Sequence, residues 1–535
     1  MKKMKKLLSL VLSVAMVVAM GITVFADTPT TYTLTIASSN SGHTYEAYQV
    51  FTGDLAESTL SNVVWGSGVA GDALLAELKT DNNTKGDFSA CTDAKAVAEK
   101  VATFGDDSEK LDAFAKIVGK HLTDTKGVSS YSDTNKNYTI SNLNAGYYFV
   151  KDADNSLRGE GKDSYTKFIL KLVKDETVTP KTDTPSAEKK VKENVKTGRW
   201  QDDSKYGQQY NDVADYNIGD DVPFAFYSKV PDMSNYTSYN YIFEDRMVDS
   251  LSFNDDVTFK IGDKELVKGT DYSVVKENLG DNCTFHVVIN DLKALAKAKG
   301  ISADAEIKVT FTAKLNEKAV IGNPGNVNEM KLKYSNNPND NTSKGETPWD
   351  KVVVFTYKLD TTKVDGTDTT KVLKDAEFKL YRKNSSNTNE YVKVENDKVT
   401  GWTTNENEAS VLKSGEDGKF VVKGLDDGTY YLKETKAPSE YNLLTSDIKL
   451  EIKAATTNGQ NWNGTDNALT DIQIKVNDGA PTSGTNGTVS TTVENKKGSL
   501  LPSTGGIGTT IFYVIGGILM VGAGVILVSR RRRSK

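Results

Sequence analysis

The pattern of apolar and polar positions predicts a chain built mainly from β-strands. Short stretches alternate apolar and polar residues with a period of two, as at 32–37 (YTLTIA), 306–315 (EIKVTFTAKL) and 352–360 (VVVFTYKLD). This alternation is typical of strands that bury one face. Helical periodicity occurs in three shorter stretches, at 73–80 (ALLAELKT), 93–104 (DAKAVAEKVATF) and 293–299 (KALAKAK).

The same pattern divides the 535 residues into three blocks, because a chain of this length exceeds a single core. The first block, 27–177, has strands at both ends and helical stretches between them. The second, 178–350, and the third, 351–497, are almost entirely strand. GYYFVKDA at 146–153 is echoed by GTYYLKET at 428–435. A repeat at this spacing predicts tandem immunoglobulin-like β-sandwiches, with helical insertions in the N-terminal domain.

Both ends of the chain carry apolar segments of another kind. Residues 1–26 have lysines, an apolar stretch and a Val24-Phe25-Ala26 cleavage site, which together predict a signal peptide. An uncleaved membrane anchor is the alternative. Near the C-terminus, an apolar run at 509–528 is long enough to span a bilayer and is followed by arginines at 530–533.

The composition of the chain argues against several classes of function. A net charge of −6 and a pI near 5.5 argue against nucleic acid as a partner. Two cysteines, Cys91 and Cys283, are few for an exported protein stabilised by disulfides. The three histidines are scattered along the chain, and no P-loop or dinucleotide fingerprint occurs, so we expect no metal site and no cofactor. Asp/Asn turns such as 337–341 are expected to be solvated rather than to bind calcium.

A pentapeptide precedes the C-terminal apolar run, and its position suggests its use. It consists of Leu501, Pro502, Ser503, Thr504 and Gly505. Together with the apolar span and basic tail, the segment 501–535 resembles the cell-wall sorting signal of Gram-positive surface proteins. The resemblance implies that a sortase cleaves between Thr504 and Gly505, while the span holds the precursor in the membrane.

A second segment resembles the pilin motif of sortase-assembled pili. In KFILKLVKDETVTPKTDTPSAEKKV at 167–191, Pro180 favours an extended, exposed backbone between two domains. The resemblance implies that Lys181 accepts the thioester of the next subunit. Thr179 and Thr182 stand where the family usually has tyrosine and asparagine. An ordinary linker lysine is the alternative.

The third block contains the sequence YYLKETKAPSEY at 430–441, which resembles the E-box of collagen-adhesin B-type domains. Glu440 replaces the glycine that the family usually has there. Leu432 and Glu434 share one face of a strand, so a core-facing Leu432 implies a buried Glu434. A buried carboxyl group needs a partner or a proton.

Strand parity provides two partners for Glu434. Lys363 shares a face with Tyr357 and Leu359, and Asn495 shares a face with Val493. Burial favours the uncharged amine, which can attack the asparagine side-chain carbonyl while the acid carries the proton to the departing ammonia. The predicted product is an intramolecular Lys363–Asn495 isopeptide bond, which the family resemblance also implies. Lys358 is the nearest rival lysine, on the opposite face.

The second block offers a parallel set. Lys189 shares a face with Val191, Asn336 with Leu332 and Tyr334, and Asp245 with Phe243. By the same logic Lys189 and Asn336 join, assisted by Asp245, as the resemblance to the middle domain of three-domain pilins also implies. The immediate rivals are Lys190, Asn337 and Glu244.

Together these features predict a backbone pilin, a structural subunit rather than an enzyme, on the cell surface and anchored to the wall. The expected partners are sortases, identical subunits in a linear covalent polymer, and cell-wall peptidoglycan; minor pilins and host surface ligands stay open. A minor or tip pilin, or a wall-anchored adhesin that uses LPSTG only for attachment, is the first alternative. A secreted, anchored enzyme is the second, disfavoured because no catalytic constellation is evident.

Overall fold

A computed structural model gives the structure of the protein. It describes twelve stretches of the chain: 30–38, 42–105, 108–132, 134–154, 156–157, 164–179, 184–194, 209–338, 340–457, 460, 462–498 and 507–533. These residues form two compact units, one of 1–356 with 455–470 and one of 357–454 with 471–535. Strands dominate both units, which confirms the mainly β class.

The N-terminal part of the first unit contains two small sheets. Their strands are β1 (Tyr32–Ile36), β2 (Tyr45–Ala56), β3 (Thr59–Trp65), β4 (Gly127–Val128), β5 (Ser130–Ser132), β6 (Asn137–Leu143), β7 (Gly146–Asp152), β8 (Lys167–Leu172) and β9 (Glu176–Val178). One sheet has the order β5-β6-β1-β9, and the other β3-β2-β7-β8 with β4 on β2. Alternate residues of these strands, among them Leu34, Tyr138 and Leu170, form a shared core.

Four helices lie between β3 and β4. They are α1 (Gly71–Thr80), α2 (Lys85–Phe88), α3 (Ala94–Ala102) and α4 (Ser108–Val118). Their apolar faces make a second core on the β3-β2-β7-β8 sheet, with Leu74, Val97 and Phe114 packed near Phe149. The predicted helical stretches correspond to α1 and α3. The sequence analysis did not single out α2 and α4.

The rest of the first unit is a pair of seven-stranded sheets. The strands are β10 (Ala187–Lys192), β11 (Tyr210–Asn211), β12 (Val213–Asp215), β13 (Asp221–Lys229), β14 (Tyr241–Met247), β15 (Leu251–Phe253), β16 (Thr258–Ile261), β17 (Lys264–Glu265), β18 (Ser273–Val275), β19 (Phe285–Ile289), β20 (Glu306–Leu315), β21 (Asn326–Ser335), β22 (Lys344–Glu346) and β23 (Asp350–Phe355). Their orders are β11-β10-β13-β20-β16-β17, with β15 on β20, and β12-β23-β21-β14-β19-β18, with β22 on β21.

A buried aromatic cluster fills the core of this part. Phe226 stacks on Phe243 at 5.2 Å between ring centroids, and Phe224 stacks on Phe311 at 5.5 Å. Because β10 and β13 pair directly, Lys189 lies opposite Phe226 and points into this cluster. The one helix described here, α5 (Leu292–Lys299), is capped by the Asp291 side chain.

The second unit is organised around one large sheet. Its strands are β24 (Tyr357–Asp365), β25 (Glu377–Lys383), β26 (Asn389–Glu395), β27 (Lys398–Thr403), β28 (Leu412–Lys413), β29 (Lys419–Leu425), β30 (Gly428–Lys436), β31 (Ile448–Thr456), β32 (Leu469–Val476), β33 (Thr482–Ser483) and β34 (Thr488–Asn495). The order is β33-β32-β31-β30-β25-β26-β27-β29-β24-β34, with β28 on β25. The first and last strands, β24 and β34, pair in parallel.

The chain ends in a helix, α6 (Ile507–Arg533). Within it, Ile511–Arg533 is long and apolar enough to cross a membrane, with a mean hydropathy of 2.6 over its most apolar 18 residues, and the arginines occupy its last turn. This is the segment for which the sequence predicted a membrane span.

Candidate functional site

The second unit brings the three predicted groups into one buried site. Lys363 lies on β24, Asn495 on β34 and Glu434 on β30, and none is more than 5% exposed. The parallel register pairs Lys363 with Val493 and Asp365 with Asn495. Lys363 and Asn495 are therefore diagonal neighbours on the same face of adjacent strands.

Hydrogen bonds join the Glu434 carboxyl group to the Asn495 side-chain amide. Asn495 Nδ2 donates to Glu434 Oε2 at 3.0 Å and to the Asn442 carbonyl at 2.5 Å, and the Leu444 amide donates to Glu434 Oε2 at 2.9 Å. Lys363 Nζ donates to the Val493 carbonyl at 3.0 Å. Glu434 Oε1 and Asn495 Oδ1 are buried and have no hydrogen-bond partner among the residues that the structure describes. Two acceptor atoms thus stay available in a site that contains a buried amine.

The environment favours a neutral amine. Burial lowers the pKa of Lys363 to about 8, although the nearby carboxylates of Glu434 and Glu494 act in the opposite direction. A neutral amine is a nucleophile, whereas an ammonium is not. The rival Lys358 lies on the other face of β24, partly exposed and 3.1 Å from Asp360. It does not enter the site.

The Glu440 departure from the E-box pattern has a local explanation. Glu440 has a φ of 73°, in the left-handed region that favours glycine, so the backbone turn is kept although the residue differs. The next residue, Tyr441, donates through its hydroxyl to Asp365 Oδ2 at 2.7 Å. This bond ties the end of the E-box segment to the end of β24, two residues beyond Lys363.

The middle part of the chain contains a second buried lysine–acid pair. Lys189 on β10 donates a short hydrogen bond to Asp245 on β14, and both side chains are fully buried. The Lys189 ammonium position lies 4.6–5.3 Å from the ring centroids of Phe224, Phe226 and Phe311. Burial lowers the pKa of Lys189 and raises that of Asp245 to about 6, each opposed by the charge of its partner.

Asn336 does not belong to this pair, and its predicted placement is wrong. Asp245 pairs with Met330 on β21, and Asn336 lies six residues further along the chain, past the end of that strand. Six residues of strand span about 20 Å. Asn336 Oδ1 instead accepts a hydrogen bond from the Ser343 hydroxyl at 2.7 Å.

Asn328 is the asparagine that strand pairing brings towards Asp245. It pairs with Met247 on β14, so it is a diagonal neighbour of Asp245 on the core face. It is fully buried, and within the described part of the chain neither of its side-chain polar atoms has a hydrogen-bond partner. Asn326, on the same face, bonds instead to Val320 and Val354. In the sequence NVNEMKLKYS, Asn328, Met330 and Leu332 are every second residue and so share one face of the strand. The period-two pattern therefore indicates that Asn328 faces the core.

Asn211 is a second orphaned amide in the same part of the structure. It pairs with Val191 on β10, is fully buried, and likewise lacks a partner for both side-chain atoms. Its β11 strand has no pairing with the strand of Asp245, so its distance from the acid is not fixed by register. Buried amides without partners are costly, so each of the two calls for an explanation.

The other rivals are engaged elsewhere. Lys190 is buried against Asp212, at 2.5 Å, and also donates to the Gln460 carbonyl. Glu244 faces away from Asp245 and lies 3.2 Å from Lys331. Asn337 follows Asn336 beyond the end of β21. None of the three is part of the Lys189–Asp245 pair.

Two predicted motifs lie outside the described residues. One is Lys181, and the other is the pentapeptide Leu501, Pro502, Ser503, Thr504 and Gly505. The described flanks of Lys181 are the end of β9 at Val178, the exposed Thr179, and the start of β10 at Ala187. The signal peptide prediction, 1–26, also falls outside the described chain.

Three family models match successive parts of the sequence. Residues 218–338 match the Gram-positive pilin backbone subunit 2, Cna-B-like domain, and residues 357–466 match the SpaA prealbumin-like fold domain. Residues 493–535 match the LPXTG cell wall anchor motif. The first match contains Asp245 and Asn328, the second contains Lys363 and Glu434, and the third contains Asn495.

Individual relatives agree with these matches. The trypsin-resistant surface T6 protein of Streptococcus pyogenes serotype M6 is 27% identical over 451 residues, which cover 70% of this chain and 75% of that protein. The solved structure of the T6 backbone pilin, described as modular and three-domain, covers 89% of this chain and 100% of its own at 19% identity and a TM-score of 0.51. The full-length major pilin SpaD of Corynebacterium diphtheriae covers 88% of this chain and 98% of its own, with 19% identity and a TM-score of 0.48.

The fold and the family-model matches agree. The Cna-B and prealbumin-like β-domains confirm the predicted fold class, and the LPXTG segment with its apolar helix is the arrangement of a wall-anchored surface pilin whose precursor is held in the membrane. The similar proteins are structural pilin subunits, and no catalytic family is indicated. The chain therefore contains a Gram-positive pilin-backbone domain, a prealbumin-like domain and an LPXTG cell-wall anchor motif, and it is similar to backbone pilins of Gram-positive bacteria.

Proposed function

We propose that this chain is the repeating, non-enzymatic unit of a covalent pilus, joined by a sortase and cross-linked inside its own domains. The main support for the internal cross-links is the cluster in the second unit. There the buried residues Lys363, Glu434 and Asn495 share one site next to the paired strands β24 and β34. The similarity to backbone pilins supports the external linkage.

The internal reaction uses groups already in place. The neutral Lys363 amine attacks Asn495 Cγ, Glu434 relays a proton from the nitrogen to the leaving group, and ammonia departs. Cγ gains one bond to nitrogen and loses another, so no oxidant is needed. In chain-entropy terms a link between 363 and 495 stabilises the folded state by about 5 kcal/mol.

In the middle domain we propose Lys189 and Asn328 as the linked pair, with Asp245 as the acid. Asp245 already contacts the amine, and Asn328 is the orphaned amide that register places diagonally from it. Asn211 is the alternative acceptor. The proposed domain limits remain 178–350 for this domain and 351–497 for the next, with 27–177 before them.

The external linkage involves two chains. A sortase breaks the Thr504–Gly505 peptide bond, holds the Thr504 carbonyl as a thioester, and releases the segment from Gly505 onwards. The Lys181 amine of the next subunit displaces the thiol and forms an amide bond. Cell-wall peptidoglycan receives the last subunit in place of a lysine.

Intact mass spectrometry of residues 27–500 tests the internal bonds. Each bond releases one ammonia, so two bonds give a mass about 34 Da below that of the sequence. Glu434→Ala should halve the deficit, whereas Lys358→Ala should leave it whole. An unshifted mass would remove the internal cross-links from the proposal.

A ladder assay in the native host tests the external linkage separately. Lys181→Ala should abolish the high-mass ladders while the monomer still reaches the wall. Lys174→Ala is the matched control, because Lys174 is an exposed lysine just before β9. Ladders that survive Lys181→Ala would favour a minor pilin or an adhesin that uses LPSTG only for anchoring.

A further inference from the structure

The outer face of the middle domain gathers four metal-binding side chains that the sequence keeps apart. Glu244 on β14 and His286 on β19 are direct partners across an antiparallel pair. Their neighbours Phe243, Asp245 and Phe285 face the core, so Glu244 and His286 point the other way. Asp281 and Cys283, in the segment just before β19, approach the same point.

The four donor atoms are close enough for a single ion. One ligand atom from each of Glu244, Asp281, Cys283 and His286 lies within 4.8 Å of all the others. His286 Nε2 is 3.0 Å from Asp281 Oδ2, and the Cys283 amide donates to Asp281 Oδ1 at 3.0 Å. Tetrahedral zinc with bonds of about 2.0–2.3 Å separates its ligands by roughly 3.3–3.8 Å. A small inward movement of these side chains is sufficient.

Glu244 is a buried carboxylate that two lysines contact. Its side chain is 2% exposed, its Oε2 atom lies 3.2 Å from Lys331 Nζ, and its Oε1 atom accepts a hydrogen bond from Lys333 Nζ at 3.4 Å. Lys331 and Lys333 both also contact Glu346, at 2.6 and 3.3 Å. Both lysines therefore keep an anionic partner if Glu244 turns to a metal.

We propose that Asp281, Cys283 and His286, with Glu244 as the fourth ligand, form a binding site for zinc or a similar thiophilic divalent ion. A thiolate and an imidazole select such ions, whereas calcium and magnesium take oxygen ligands. Binding releases the Cys283 proton to solvent. The Cys283, Asp281 and Glu244 charges then exceed that of the divalent ion by one, and the neighbouring Lys331 ammonium offsets the excess. Zinc would attach the segment before β19 to the sheet.

The test uses the full chain, purified in detergent and titrated with Co²⁺ as a spectroscopic substitute for zinc. We expect one Co²⁺ per chain, with visible d–d bands and a thiolate-to-metal charge-transfer band, and displacement by Zn²⁺. Cys283→Ser should eliminate the charge-transfer band and weaken Zn²⁺ binding by more than about 100-fold. His286→Ala should weaken binding to a similar degree.

Two variants control for unspecific effects. Cys91→Ser removes the other thiol, and His121→Ala removes a histidine that also faces a carboxylate, Glu77, at 2.7 Å. Both should leave the Co²⁺ spectrum unchanged. Asp281→Asn, at an exposed position, should weaken binding without unfolding the chain. Absence of stoichiometric binding, or a charge-transfer band that survives Cys283→Ser, would overturn the proposal.

Discussion

The two buried lysine clusters place their acid differently. In the second unit, Glu434 accepts a hydrogen bond from the asparagine amide, and Lys363 donates to a backbone carbonyl. In the middle domain, Asp245 contacts the lysine directly, and the nearby Asn328 has no partner. In the proposed reactions, one acid is bound to the amide that is attacked and the other to the attacking amine.

The comparison shows which two contacts an amide-forming acid has to make. It must take a proton from the amine and deliver one to the leaving nitrogen, so it has to reach both groups in turn. Each cluster displays one of these contacts. The difference also predicts that the two acids contribute unequally to stability when the bond is absent.

The largest effect is expected for Asp245→Ala. It prevents the middle-domain bond, at about 5 kcal/mol, and leaves Lys189 buried without its counter-charge, at about 3 kcal/mol more. Glu434→Ala should cost only the first amount, because Lys363 keeps its bond to the Val493 carbonyl. Calorimetry of both variants measures the difference. Equal losses would contradict the contrast between the clusters.

The second-largest effect is expected when the asparagine proposed to react with Lys189 in the middle domain is removed. Asn328→Ala should remove about 17 Da of the mass deficit and about 5 kcal/mol of stability, because the link cannot form. Asn336→Ala and Asn211→Ala should each keep the full deficit. Peptide mapping of the cross-linked fragment identifies the residue. A link that survives Asn328→Ala would give the acceptor role to Asn211.

A pH effect should appear when the second-unit bond cannot form. In Asn495→Ala, Lys363 stays free with a folded pKa of about 8, against an ordinary value of 10.5. Between these values the unfolded chain binds more protons, so stability should rise with pH by about 3 kcal/mol in total. Denaturant unfolding between pH 7 and roughly 10.5 measures this rise.

The matched control for the pH effect is Lys363→Met combined with Asn495→Ala. The double variant lacks the titrating amine, so its unfolding free energy should lose this pH dependence. If both variants showed the same slope, the rise would have to come from another group.

The smallest effect is expected for Lys358→Ala. This lysine is partly exposed, pairs only with Asp360 within its own strand, and faces away from the site. Its removal should change stability by less than about 0.5 kcal/mol and leave the mass deficit intact. A lost bond in this variant would reassign the nucleophile.

The sequence was sufficient to predict the second-unit site, because the alternation of residues along each strand and the E-box motif both indicated which side chains face the core. Leu432 and Glu434 alternate within one strand, and the positions of Lys363 and Asn495 followed from the same rule. It was insufficient in the middle domain, where Asn326 and Asn328 share the core face of β21 and Asn336 follows the end of that strand. Choosing among them requires the register against β14, which only the paired structure provides.

Two helices and the cluster around Cys283 were also not predicted from the sequence. The helix α2 was not predicted, because four residues are too few to show a helical period. The helix α4 does show one, with apolar residues three and four apart at Leu111, Phe114, Ala115 and Val118, so nothing in its sequence explains why it was not predicted. The cluster around Cys283 joins two strands and a turn, so the scattered histidines of the sequence gave no reason to expect it. Contacts between strands far apart in sequence are what the sequence alone lacks.

The position of Asn328 has a consequence for a polymer under tension. If both bonds form as proposed, force passes through Lys189 to Asn328 and next through Lys363 to Asn495, which leaves the antiparallel β21–β23 pair as an unlinked part of the path. Asn328 lies opposite Val352, so tension peels this pair apart from its open end. Releasing residues 329–351 lengthens each subunit by up to about 80 Å. Each subunit of the fibre would then lengthen reversibly under load. Force spectroscopy of single pili should show extension steps of this length, and the extension should be reversed when the load is lowered and the released residues refold.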